Sequence, residues 1–265
     1  AADATHALIA DRPVVSMTVA AAIAEIAGPQ ACIVLLANSG ADIASLSFRR
    51  MAERHGHVAT VREALIADAR LPAECRHMLL TKLGEALRGS PLVLALMGQA
   101  RAERVMRDAC VKASVTLIEN TQAAEHPALV EHLRLRGDLT ASFLIRTVAH
   151  GKVDFFGSVL MALSGHSGER VRALLAGGHD TALLALFSAA GLAKATHGII
   201  LRALKVWREV ANGKRVAGVQ EVSWLMLKEL GGQGAQGDLA ALVKSIHLEA
   251  LRQNARGHAL AIAAA

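Results

Sequence analysis

The pentapeptide Ala7-Leu8-Ile9-Ala10-Asp11 recurs letter for letter at Ala64-Leu65-Ile66-Ala67-Asp68, with Val34-Leu35-Leu36-Ala37-Asn38 standing between them as a close variant. The copies lie roughly thirty residues apart, the length of one helix pair in an α-solenoid. Each copy closes an apolar segment of helical period and runs into a polar break: Arg12-Pro13, Ser39-Gly40 and Ala69-Arg70. A further amphipathic segment follows each break. Ala173-Leu174-Leu175-Ala176-Gly177 is a weaker echo in the second half of the chain. A single helix pair of this size cannot cover its own apolar face, so such units persist only by stacking on neighbours.

Composition agrees. Hydrophobic residues make up 53% of the 265 and aromatic residues only 3%, with no tyrosine, so the core must be built from Ala, Leu, Val and Ile. Ala and Leu favour helix, whereas sheet proteins lean on β-branched and aromatic residues. The expected fold is therefore all-α: stacked short helix pairs forming a HEAT-like α-solenoid. The period predicts helices over Val14–Ala27, Gln30–Ala37, Ile43–His55, Val58–Ala67, Ala73–Leu87 and Ala100–Ile118 in an N-terminal lobe, residues 1–121. A polar interruption, Glu119 to Glu125, precedes a C-terminal lobe, residues 122–265, of the same continuous array. That lobe carries further helices at Pro127–Leu135, Thr140–Ala149, Val153–Leu163, Glu169–Ala176, Thr181–Ala189, Lys194–Val210, Val219–Leu230 and Leu239–Gln253.

Three scattered cysteines, Cys32, Cys75 and Cys110, make neither a disulfide framework nor a zinc knuckle, and a reducing cytoplasm is the expected location. Asp3, Asp11, Arg12 and Pro13 stand where a secretory leader would need a basic and then an apolar region. The most apolar stretch, Val14 to Ala37, is divided by Glu25 and Gly28-Pro29 into pieces too short to span a bilayer.

The run Val34-Leu35-Leu36-Ala37-Asn38-Ser39-Gly40-Ala41-Asp42-Ile43, continuing through Phe48-Arg49-Arg50-Met51-Ala52-Glu53-Arg54, resembles a bacterial uncharacterised-protein family, domain of unknown function 2336. Leu71-Pro72-Ala73-Glu74, Asp154-Phe155-Phe156, Arg170-Val171-Arg172-Ala173-Leu174-Leu175 and Ala189-Ala190-Gly191-Leu192 fit the same pattern. The resemblance covers most of residues 7–205. Its motifs are packing and helix-end motifs, so it implies an all-helical HEAT-like stack and carries over no catalytic residue.

Motifs that suggest chemistry read more simply as helix ends. Gly232-Gln233-Gly234-Ala235-Gln236-Gly237 satisfies G-x-G-x-x-G, but a dinucleotide site needs a preceding strand, and Val222–Leu230 reads as helix. The expected role is an interhelical loop with Asp238 capping the next helix. Gly165-His166-Ser167-Gly168 has Glu169 where a nucleophile elbow needs glycine, so Ser167 is expected as an N-cap. Arg136-Gly137-Asp138 is expected to end one helix and cap the next. The twelve histidines, among them the pairs His55/His57 and His126/His132, show no ligand spacing. No catalytic, cofactor or metal site is expected.

The feature left for function is a basic segment: Lys194, Arg202, Lys205, Arg208, Lys214 and Arg215, with Glu209 the only acid before Glu221. At helical period, Lys194, His197, Arg202, Lys205, Arg208 and Glu209 fall on one side, with Ile199, Ile200, Ala203, Val206, Trp207 and Val210 on the other. The six cations are the expected partner-binding residues. Together with repeated helix pairs they point to a non-enzymatic protein-interaction scaffold or regulatory adaptor, with an unidentified protein as partner. The alternative is a HEAT-like solenoid holding nucleic acid by its backbone, which the net charge of +6 permits. Aromatics interleaved with the cations, which single-strand binding needs, are nearly absent.

Overall fold

The computed structural model describes residues 2–232 and 237–263. Among the described residues every regular element is helical, and the one strand-like contact is an isolated parallel bridge between Val15 and Ala41. None of these helices is long and apolar enough to cross a membrane. The chain divides between Thr121 and Gln122 into two compact units.

The first unit holds α1 (Ala2–Ala10), α2 (Met17–Ile26), α3 (Pro29–Ala37), α4 (Ser45–His55), α5 (Ala59–Ala67), α6 (Ala73–Arg88), α7 (Pro91–Met97) and α8 (Gln99–Glu119). Each early helix packs on the helix two places along, so α1, α3 and α5 form one row and α2, α4 and α6 a second. This is the stacking that the pentapeptide repeat predicts. The three copies close α1, α3 and α5, and Asp11, Asn38 and Asp68 stand at equivalent positions just past the helix ends. Leu35 and Leu65 are fully buried, whereas their equivalent in the first copy, Leu8, is 74% exposed. Cys32 and Cys75 belong to this core, where burial pushes their thiols up to about 11 and about 12. They remain protonated and pack as small apolar groups.

Helices of about ten residues leave most of their terminal carbonyls without an internal partner. Here side chains one repeat further along supply the donors. Asn38 Nδ2 donates to the carbonyls of Ala10 and Arg12, both at 2.7 Å. Arg70 donates to Ala41 at 3.0 Å and Leu36 at 3.3 Å, while lying over the Phe48 ring. In the second row Arg54 donates to Ala24 at 2.8 Å, His55 Nε2 to Ala27 at 3.1 Å, and Lys82 to Glu53 at 2.7 Å. The linkers stack as well: Val15 donates to Gly40 and accepts from Asp42. Burial pushes the Asp68 carboxyl up, but hydrogen bonds from Arg70 outweigh it and hold it below the ordinary carboxylate range.

The second unit holds α9 (His126–Arg136), α10 (Ala141–Ala149), α11 (Val153–Ser164), α12 (Gly168–Gly177), α13 (Asp180–Ala189), α14 (Lys194–Ala211), α15 (Val219–Gly232) and α16 (Asp238–Ala263). α9, α11 and α13 repeat the row pattern, and α14, α15 and α16 pack around α10. Every residue from Phe143 to Ala149 is consequently buried. That includes Arg146, whose guanidinium reaches Glu249 at 2.9 Å and Ser245 at 3.2 Å on α16.

Several expected boundaries shift. α1 and α7 lie outside the helix ranges expected from the period, and α2 starts at Met17 rather than Val14. Ser167 does cap α12, accepting from the Arg170 amide. Asp138 is not the cap of α10: Gly137 closes α9 at φ +74°, and Thr140 Oγ1 accepts from the Phe143 amide. The G-x-G-x-x-G segment falls largely on residues 233–236, outside the described residues.

Asn38 gives a direct test. Aspartate occupies the equivalent position in the two other copies, yet Asn38→Asp removes the donor and sets a carboxylate against two carbonyls. Chemical denaturation should show a loss of about 2 kcal/mol, with Asn38→Ala losing somewhat less.

Candidate functional site

The residues of α14 that face inward, Ile199, Ile200, Ala203, Leu204 and Val206, recur at helical spacing and anchor it against the core. Trp207 extends this face near the C-terminal end of the helix. It is half-buried, and its Nε1 donates to the Val148 carbonyl at 2.7 Å, which orients the indole. The chain passes under the ring at Gly151, in the left-handed region at φ +74°, where a Cβ would come within 3.1 Å of the indole carbons. Only glycine allows that approach.

Around Trp207 lies an open cavity of about 810 Å³. Val153, Gly157 and Met161 of α11 and Val171, Leu175 and Ala176 of α12 line it, with Leu204, Val210 and Ala211 of α14 and the His126-Pro127 start of α9. Asp154 and Arg172, both exposed, and the half-buried Arg208 bring charged groups to its border. Because the indole N–H is already bonded, what Trp207 offers a ligand is apolar ring surface. A groove of this size and character takes up apolar side chains or a drug-sized molecule.

The six predicted cations are not brought together as a free array. Arg208 turns back onto α12, where its guanidinium donates to the carbonyls of Leu174, Leu175 and Gly178, the last at 3.0 Å. Burial pulls its pKa below the ordinary value, the charge of Asp180 pulling the other way. Lys205 pairs with Asp180 at 2.6 Å. Arg215 is held by Glu209 at 3.1 Å and by Glu221. Lys194 and Lys214 are exposed and Arg202 is half-buried. His197, expected on the charged side, is buried instead: its Nε2 donates to the Leu192 carbonyl and its ring meets Phe187 edge-on.

Two serine–histidine contacts have no signal in the sequence, because each joins distant helices. Ser114 Oγ lies 3.0 Å from His77 Nε2, but its single proton goes to the Cys110 carbonyl at 2.8 Å. His77 Nε2 must therefore be the donor, the reverse of a nucleophile–base pair. Ser223 Oγ donates to the Val219 carbonyl at 2.6 Å. His247 Nδ1 lies 3.1 Å from both Ser223 Oγ and the Gln220 carbonyl, which fixes it as a donor too. Both contacts fasten helices. Among the described residues no group of three His, Cys, Asp or Glu side chains could hold a metal ion.

The family model described as uncharacterised protein conserved in bacteria, DUF2336, matches residues 1–240. The chain belongs to this family. No curated protein and no solved structure matches it. The DUF2336 match contains the three repeat copies, the groove and all six cations, and it stops short of Glu249, the residue that pairs with buried Arg146. Val34 to Arg54, which resemble the family's pattern, form the end of α3, its break and most of α4.

Arg208 separates a structural from a ligand-binding role for the basic segment. Arg208→Ala should destabilise the protein by about 2 kcal/mol, the scale of charged hydrogen bonds lost from three carbonyls. Arg202→Ala should change stability by less than about 0.5 kcal/mol. Equal, small effects from both in thermal melts would contradict the capping assignment.

Proposed function

We propose that this DUF2336 protein is a non-enzymatic interaction scaffold or regulatory adaptor, a HEAT-like stack whose second unit docks an apolar helical segment of a partner protein in the Trp207 groove. The observation that carries this reading is the groove itself, apolar along its walls, built on Trp207 and bordered by Asp154 and Arg172. An amphipathic helix places side chains at i, i+3 and i+4 into such a groove and leaves charges for its rim. The opposite charges of Asp154 and Arg172 suit a segment that carries a base and an acid on the flanks of its apolar stripe. Binding to a nucleic-acid backbone is supported less well, because Lys205, Arg208 and Arg215 are already engaged within the fold.

Selection of displayed peptides on the full chain tests the proposal. Enriched sequences should share an apolar i, i+3, i+4 pattern. They should bind at least about tenfold more weakly to the Ala176→Glu/Ala211→Glu protein, which places charges at two exposed positions of the groove. Absence of enrichment, or equal affinity for the double variant, would contradict it.

A further inference from the structure

α16 is fastened to the second unit by its first half, where Val243, Ile246 and Ala250 are buried, while every residue of 251–262 is exposed. At roughly 100° per residue, Leu248, Leu251, Ala255, Ala259 and Ile262 fall within a sector of about 80°. This stripe faces away from the buried residues, and Leu248, Leu251 and Ile262 are 41%, 37% and 78% exposed. Arg252 and Arg256 follow along one edge of it, and Lys244 stands at its start, all three exposed. Gln253 and Gly257 lie on the opposite side, with Leu260 the one large apolar residue of the segment outside the stripe. On α15 the indole of Trp224, 56% exposed, lies 6.0 Å from the His247 ring, one turn before Leu251.

Charge decides what such a stripe can meet. From Leu239 to Ala263 the only acid is Glu249, and it pairs with buried Arg146 at 2.9 Å. The charge that this stretch presents to solvent is therefore of one sign. A second copy laid against it would set Arg252 and Arg256 beside cations with no acid to answer them, and a helix pair held by its seam wants larger residues than Ala255 and Ala259 at the centre. An anionic bilayer suits both features, since it takes an apolar stripe into its headgroup region and draws the basic edge to its surface. An exposed indole next to the stripe adds a side chain that favours that same boundary. α16 would lie on the membrane, being neither long nor apolar enough to cross it.

We propose that the outer face of α16, from Lys244 to Ile262, is a membrane-surface segment that binds anionic lipid bilayers. It is independent of the Trp207 groove, to which neither α15 nor α16 contributes a lining residue.

Sedimentation of the full chain with lipid vesicles tests this. The protein should sediment with phosphatidylglycerol vesicles, be released by salt and ignore phosphatidylcholine vesicles. Ala255→Glu/Ile262→Glu and Arg252→Glu/Arg256→Glu should each weaken vesicle binding by at least about tenfold. All four residues are exposed, so both variants should melt at the wild-type temperature, and Ala176→Glu/Ala211→Glu should bind vesicles normally. A wild type that stays in solution with phosphatidylglycerol vesicles would overturn the proposal, as would equal binding to phosphatidylcholine or binding that survives both double substitutions. A dimer in sedimentation equilibrium that Ala255→Glu/Ile262→Glu dissolves would put a second copy in place of the bilayer and overturn it equally.

Discussion

The carbonyls at the C-terminal ends of short helices are the constraint around which this structure is built. A helix of nine or ten residues bonds few of its own carbonyls, and isolated segments of that length barely persist in water. The chain answers with donors from the next layer. Asn38 serves the end of α1, Arg70 the end of α3, Arg54 and His55 the end of α2, and Lys82 the end of α4. In the second unit Arg208 does the same for α12. Each donor stands roughly one repeat after the carbonyl it serves, so the spacing of the repeat and the spacing of the hydrogen bonds are the same quantity.

This arrangement couples layers in two ways. Helices of one row pack their apolar faces on each other, and Leu35 and Leu65 are fully buried. The polar end of each helix is closed by the layer that follows. Apolar packing thus joins neighbouring layers, and carbonyl capping runs from each layer back to the one before it. Arg146 shows a related solution in the second unit: its buried charge is tolerated because Glu249 and Ser245 meet it across the packing of α10 with α16.

Much of the fold was legible because it rests on local rules. Helical period, alanine and leucine content and the repeated pentapeptide are all visible in one strand of text, and they lead to α1, α3 and α5 closing at Asp11, Asn38 and Asp68. α7 was hidden because seven apolar residues behind a proline carry no periodicity at all. The basic segment was legible as charge but not as chemistry. Whether an arginine points to solvent or turns onto a carbonyl depends on what lies thirty residues away, and Arg208 turns inward. The groove could not be read for the same reason: Val153, Leu175 and Trp207 are far apart in sequence, and only the packing of α11, α12 and α14 brings them to one cavity.

Hydrogen exchange of the Arg70→Ala protein tests the central claim most directly. If donors from one layer hold the helix ends of the layer before it, amides of residues 33–42 should lose protection upon the substitution, even though they lie about thirty residues upstream. Deprotection confined to residues 66–72, next to the substituted side chain, would contradict the account.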